Sequence, residues 1–261
     1  MFGVGREFDK LKENNGTTLF KYIYEGRTTI ENAEQFFFPI YGLRDIKESL
    51  YRTFIVPKQV NTLLSGPSSS TKDMFLLKIY DQCNDVIYYE PALEKRIKLV
   101  DEIYKNQKAK VIIIDNINKL KKSDLDILPR LLNTGIIEKI IRNNKIEIKM
   151  ENIKIFAALN EDQNRLDIDE SIRKLKTLFV DYYVPEYSDE EFIKSVKFYC
   201  RNKLPNEKIE IMANELVKLD IKDIREVIFI SKVLRETDTK EDIVRIINAR
   251  VKCMPSKDAD M

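Results

Sequence analysis

Residues 60–77 read VNTLLSGPSSSTKDMFLL, and the rest of the chain is arranged around them. The apolar run at 60–64 has the character of a buried parallel strand. After the turn SGPSSS, a helical spacing opens at Thr71-Lys72-Asp73 and carries Met74, Phe75, Leu76 and Leu77. A strand, a glycine-started loop and a helix with a lysine at its start form the layout of a phosphate-binding loop. Backbone N–H groups and the helix dipole face the anion, and the lysine reaches the outer phosphates. Against the full pattern G-x-x-x-x-G-K-[ST], this chain has Gly66-Pro67-Ser68-Ser69-Ser70-Thr71-Lys72-Asp73. Gly66 and Lys72 fit. Thr71 stands where glycine is expected, and Asp73 stands where a hydroxyl would hold Mg²⁺. A carboxylate at that point repels a triphosphate, and two like charges in contact are costly in a partly desolvated pocket. The same eight residues also suit an ordinary strand–turn–helix in which Asp73 only complements the helix N-terminus.

Composition narrows the rest. With 43% hydrophobic and 34% charged residues over 261 positions, the chain is globular and long enough for one large domain or two modest ones. A net charge of +2 is too small to imply a polyanion partner, so only local clusters could do that. No apolar run is long enough to span a bilayer and no signal peptide opens the chain, so a cytoplasmic protein without a membrane partner is expected. Cys83, Cys200 and Cys253 lack metal-ligand spacing, which suits a reducing compartment. Histidine is absent, so histidine-based triads, acid–base pairs and most zinc sites are excluded.

In chain order, residues 1–34 read as a short helix plus connecting segment, followed by an aromatic knot at 36–42 that ends in Gly42. Residues 43–54 have the spacing of an amphipathic helix. A short strand is expected at 85–89 and a helix at 92–106. Then comes VIII at 111–114 running into Asp115, an apolar strand of the kind a central parallel strand requires. Its acidic end lies at the sheet edge where α/β folds bind ligands. Asn116 follows, and an amide cannot take a proton as a general base. A helix is expected at 123–133. Residues 135–150 alternate apolar and charged around an Asn-Asn turn, the signal of a β-hairpin whose Lys139, Arg142, Lys145 and Lys149 are basic. A buried strand at 154–160 ends in Asn160. From Ser188 onward every run is helical, beginning with a capping box at Ser188–Glu191.

This order resembles that of the AAA+ ATPases, and most of all the archaeal proteins related to RuvB and MoxR. The likeness lies in LLSGPSSSTKDMFLL, VIIIDNINKL, LLNTGIIEK before a hairpin, IFAALNED, EYSDEEF and Lys222-Asp223-Ile224-Arg225. It implies a three-layer α/β sandwich with a central parallel sheet and a pre-sensor hairpin, followed by a small helical lid. The expected divisions are an N-terminal extension at 1–35, the α/β domain at 36–187, the lid at 188–253 and a frayed tail at 254–261.

Carried over by position, the resemblance makes Lys72 the phosphate-binding lysine within a loop of Gly66, Ser68, Ser69, Ser70, Thr71 and Asp73. Asp115 becomes the metal-side acid, Asn160 the sensor, Arg225 the lid arginine and Gly42 part of the adenine-side wall. Asn116 replaces the catalytic acid. Leu178 replaces the arginine finger, although Arg173, Lys174 or Lys176 could supply a cation. Losing such an arginine removes about 10³–10⁵ in rate, and losing a general base about 10²–10⁴.

The departures cluster on hydrolysis. They imply a degenerate AAA+ protein that serves as a non-hydrolysing subunit or regulator beside another AAA+ subunit or its own copies. ATP or ADP would bind weakly or not at all, and Mg²⁺ only with nucleotide. Asp73 is expected to stand in for the missing phosphate by pairing with Lys72 or the loop N–H groups. Two alternatives remain: an active ATP-driven DNA motor, and a nucleic-acid-binding module using Lys139, Arg142 and Lys145. The winged-helix domain that RuvB uses on DNA is not expected after the lid.

Overall fold

The computed structural model describes residues 32–93, 97–141, 144–150, 152–161 and 170–252. Five strands build one parallel sheet: β1 (Thr62–Gly66), β2 (Val86–Tyr89), β3 (Val111–Ile114), β6 (Lys154–Asn160) and β7 (Val180–Tyr183). Their order across the sheet is β2-β3-β6-β1-β7. β3 and β1 are buried along their whole length, because both faces of the sheet are covered.

Alternate residues of one strand therefore enter different cores. Ile112 and Ile114 join one face with Leu63, Ile155 and Leu159, packed under α4 (Leu99–Lys105), α5 (Lys122–Leu125), α6 (Leu128–Thr134) and α7 (Glu170–Lys176). Val111 and Ile113 join the other with Leu64 and Phe156, beneath α1 (Ala33–Phe36), α2 (Arg44–Ile55) and α3 (Lys72–Asp81). This is the expected three-layer sandwich. β4 (Ile136–Ile141) and β5 (Asn144–Lys149) pair antiparallel as a separate hairpin, with Ile137 and Ile148 turned into the core. The tip containing Arg142 lies outside the described residues.

The remaining helices, α8 (Asp189–Cys200), α9 (Asn206–Lys218), α10 (Ile224–Val233) and α11 (Lys240–Lys252), bury a third apolar cluster of their own. The capping box at Ser188 and Glu191 forms as expected. Among the described residues no helix is long and apolar enough to cross a membrane.

Several expectations need correction. The helix expected at 123–133 is two short ones, α5 and α6, with Pro129 in the first turn of α6; proline lacks the N–H that would continue α5. The helix expected at 92–106 contracts to α4. α7 and β7 have no counterpart in the sequence reading. β7 is an edge strand with Val180 and Tyr183 partly exposed. Its backbone pairing to β1 holds it, through Val180 N–H to Asn61 O (2.8 Å) and Val184 N–H to Ser65 O (2.7 Å). The boundary expected between 35 and 36 falls inside α1, whose Ala33 and Phe36 are core residues. The helix expected within 1–34 and the tail at 254–261 lie outside the described residues.

One buried charge holds the sandwich together. Lys154 begins β6 with 1% exposure, and its Nζ donates to the carbonyls of Thr53 (2.8 Å), Phe54 (2.7 Å) and Val56. It thereby caps the C-terminal end of α2, where carbonyls without helical partners attract a cation. Burial pulls its pKa down to about 8. Lys154→Met keeps the aliphatic stem and strands the carbonyls, so urea unfolding followed by circular dichroism should show a loss of about 2–4 kcal/mol.

The pH dependence follows from the sign of the shift. The folded chain releases this proton near pH 8, whereas the unfolded chain holds it to about 10.5. The cost of burying the charge is full below 8 and lifts as pH rises. Lys72, also lowered to about 8, acts in the same direction. Buried Tyr187 and half-buried Tyr88 and Tyr199, pushed above their ordinary value of 10.0, reverse the trend beyond it. Stability should therefore climb between about pH 8 and 10 and fall above, with a shallower climb in Lys154→Met.

Candidate functional site

The site forms where β1 ends. Gly66 has φ +144°, and a Cβ there would lie 2.2 Å from the Val184 carbonyl oxygen, so only glycine lets β1 and β7 approach this closely. The loop turns through Ser70 N–H to Pro67 O (3.1 Å) and enters α3 at Lys72. Ser69 Oγ donates to Glu186 Oε1 in the segment between β7 and α8.

Lys72 is 2% exposed and folds back on its own loop. Its Nζ donates to Gly66 O (2.8 Å), Pro67 O and Ser70 Oγ (2.9 Å). Burial lowers its pKa to about 8, against the opposing pull of Asp73 and Asp115. Asp73 does not take Lys72 as its hydrogen-bonding partner. Its Oδ2 lies 2.5 Å from Arg225 Nη1, a partner the sequence reading, which offered Lys72 or the loop N–H groups, did not name. The reason is geometric: Lys72 points under the loop, whereas Asp73 on the next position of α3 faces α10. Burial raises the Asp73 carboxyl above its ordinary range, and Arg225 opposes that shift.

Asp115 follows β3 at the same sheet edge. Tyr88 on β2 donates its hydroxyl to Asp115 Oδ2 (2.9 Å), and burial raises the carboxyl above the ordinary carboxylate range. Asn116 lines the same space with a buried Oδ1 that has no hydrogen-bond partner among the described residues. Asn160 ends β6 directly opposite Gly66 in the parallel register.

These residues surround one cavity of about 410 Å³, lined by Ser68, Lys72, Asp73, Asp115, Asn116, Asn160 and Arg225. Sequence reasoning missed its other polar walls, Glu90 and Lys119, and the Tyr88 hydroxyl. Tyr88 and Glu90 were findable, because they sit at the C-terminal end of β2, on the same sheet edge as Asp115. Gly66, Ser69, Ser70 and Thr71 shape the loop without lining the cavity. Gly42 lies elsewhere, on an aromatic cavity of about 580 Å³ with Phe38, Ile40, Tyr41 and Phe198.

Leu178 packs partly buried against the sheet. Nearby, Lys176 is paired with Glu161 (2.6 Å) and Asp181 (2.9 Å), and Lys174 with Glu170 (2.7 Å). Arg173 is exposed and, among the described residues, without an ion-pair partner. On the hairpin, Lys139 pairs with Asp101 (3.0 Å) and sits over the Tyr104 ring, while Lys145 pairs with Glu138 (2.5 Å).

The cavity is lined by three cations, Lys72, Lys119 and Arg225, and by three carboxylates, Asp73, Glu90 and Asp115. Lys72 is committed to carbonyls, Arg225 to Asp73, and Asp115 to Tyr88. Among the described residues no cluster of three or more metal-ligating side chains forms.

No protein-family model and no curated protein matches the sequence. Solved structures do. One variant of RuvB from Thermotoga maritima is similar with a TM-score of 0.57 at 14% identity, over 80% of this chain and 70% of that one. A second variant gives 0.57 at 14% identity, over 84% and 73%. NtrX from Brucella abortus, solved in complex with ADP, gives 0.53 at 12% identity, over 87% of this chain and 59% of that one. A five-stranded parallel sheet between helical layers, followed by a helical C-terminal part, gives this chain the α/β fold of the RuvB AAA+ structures.

Proposed function

We propose that the chain is a catalytically degenerate AAA+ protein, with nucleotide binding weak or lost, that acts as a non-hydrolysing subunit or regulator in an AAA+ assembly. The observation that carries this reading is the Asp73–Arg225 ion pair at 2.5 Å. A carboxylate of the chain occupies the arginine that would otherwise meet phosphate, at the position where a metal-binding hydroxyl would stand. Asn116 cannot take a proton from water, and Leu178 offers no cation to a neighbouring site.

In this reading residues 36–187 form the nucleotide-type domain and 188–253 its lid, in a relative of the archaeal RuvB-like and MoxR-like proteins. Its partner is another AAA+ chain with intact catalytic residues, or further copies of itself. Cys83 and Cys200, buried and in no disulfide among the described residues, suit a reducing cytoplasm.

One observation favours a second reading, slow ATP-driven work on DNA: Lys72, Asp115, Asn160 and Arg225 do line a single cavity. Phosphate release separates the two. Wild type should release phosphate from ATP and Mg²⁺ no faster than Lys72→Ala, with or without DNA. Turnover that Lys72→Ala abolishes would overturn the degenerate reading. By calorimetry, Asp73→Thr should raise ATP affinity about tenfold or more by removing a like charge beside the phosphates; unchanged or weaker binding would count against it.

The hairpin supports DNA binding less than its sequence suggested, since Lys139 and Lys145 are neutralised by Asp101 and Glu138. Duplex DNA should show no salt-dependent gel shift with wild type. A shift lost in Arg142→Glu with Lys145→Glu would restore the nucleic-acid reading.

A further inference from the structure

We propose that the Asp73–Arg225 ion pair is a built-in latch that biases the last four helices toward the sheet without nucleotide. It would do internally what a phosphate between loop and lid would do from outside. The proposal rests on the reading that this site no longer depends on nucleotide.

The two residues are 152 positions apart in sequence, one in the first turn of α3 and the other in the first turn of α10. Arg225 is aimed by its own helix. Asp223, the N-cap of α10, accepts from Arg225 Nε at 2.9 Å on both carboxylate oxygens and from Nη2 at 2.6 Å. That clamp leaves Nη1 facing Asp73 and brings Nη2 within 3.4 Å of Ser68 O in the loop. A guanidinium held at one edge by its own helix and at another by the loop helix fixes the angle between the two bodies. A lysine, with one charged atom, could not grip both in this way.

Other contacts across the same junction are internal too. Tyr199 of α8 donates to Met74 Sδ (3.9 Å), and the segment that leads into α8 is tied to the sheet side through Tyr187 to Tyr41 O (2.7 Å) and Ser69 to Glu186. Leu43 and Met74 pack against both the sheet-side and the lid-side clusters. These contacts support the junction beside the ion pair. The latch is nonetheless open to solvent on one side, with the Arg225 side chain 54% and the Asp73 side chain 23% exposed. Salt should therefore weaken it.

Hydrogen–deuterium exchange on the full chain tests this. Wild type, Asp73→Asn, Arg225→Gln and the double variant would be compared with and without ATP and Mg²⁺, following amides at 184–188 and 224–227. Each single change should speed exchange there several-fold, the double should add little to either single, and high salt should move wild type toward the variants without moving the double. Singles that exchange like wild type, or a double equal to the product of the singles, would overturn the latch. Thermal unfolding of each variant separates a loosened junction from a misfolded chain, because a latch change leaves the exchange of β1 and β3 amides at wild-type rates. Phosphate release and strong ATP-induced protection in wild type would sink the degenerate reading. Non-additivity between Asp73 and Arg225 in the nucleotide-free chain would still support the latch.

Discussion

Everything at this sheet edge depends on how closely β1, β7 and β6 converge on Gly66. Its missing Cβ lets the Val184 carbonyl sit where a side chain would be. Its own carbonyl accepts from both Lys72 Nζ and the Glu161 amide. One residue thus joins the loop, the strand that ends in Asn160 and the segment that leads into the lid. A substitution there would collide with backbone, which cannot rotate away as a side chain can. The loop's shape is therefore a consequence of strand packing before any ligand is considered.

That loop ends in a region where charges are settled among themselves. Asp115 and Asp73 are both raised by burial, and each has a neighbour that draws it back: Tyr88 for the first, Arg225 for the second. A solvent-facing ion pair contributes about 1 kcal/mol or less. The Asp73–Arg225 pair alone therefore cannot hold two bodies against a large force, but it can choose between nearby orientations. The apolar contacts of Met74, Leu43 and Tyr199 supply adhesion, and the ion pair supplies direction. Such a division is common where a junction must be specific without being strong.

The central strands were legible because burial on two faces demands uninterrupted apolar residues: VIII at 111–114 and IFAAL at 155–159 permit no other placement. The hairpin was legible from its period of two. β7 was not, because an edge strand with a half-exposed surface leaves no such pattern and is held by pairing to a strand more than a hundred residues earlier. The site was legible as a set of positions and not as a set of partners. Position in a motif says that Lys72, Asp73 and Arg225 converge. Which of the two cations takes the carboxylate depends on side-chain direction at adjacent helical positions, which spacing cannot encode.

Lys72, finally, has a structural role in the loop itself. Its ammonium is the donor for Gly66 O, Pro67 O and Ser70 Oγ, acceptors that a neutral side chain would leave unsatisfied in a buried turn. A buried acceptor without a partner costs about 1–3 kcal/mol, a large share of the stability of a domain this size. Lys154 does the same service for the end of α2, far from any candidate site. A lysine that satisfies backbone carbonyls is thus a recurrent structural device in this chain, seen again in Lys208, whose Nζ donates to the carbonyls of Arg235, Glu236 and Asp238. Folding alone thus gives Lys72 a role in the loop, whereas Asp73 makes its closest contact to Arg225 across to α10.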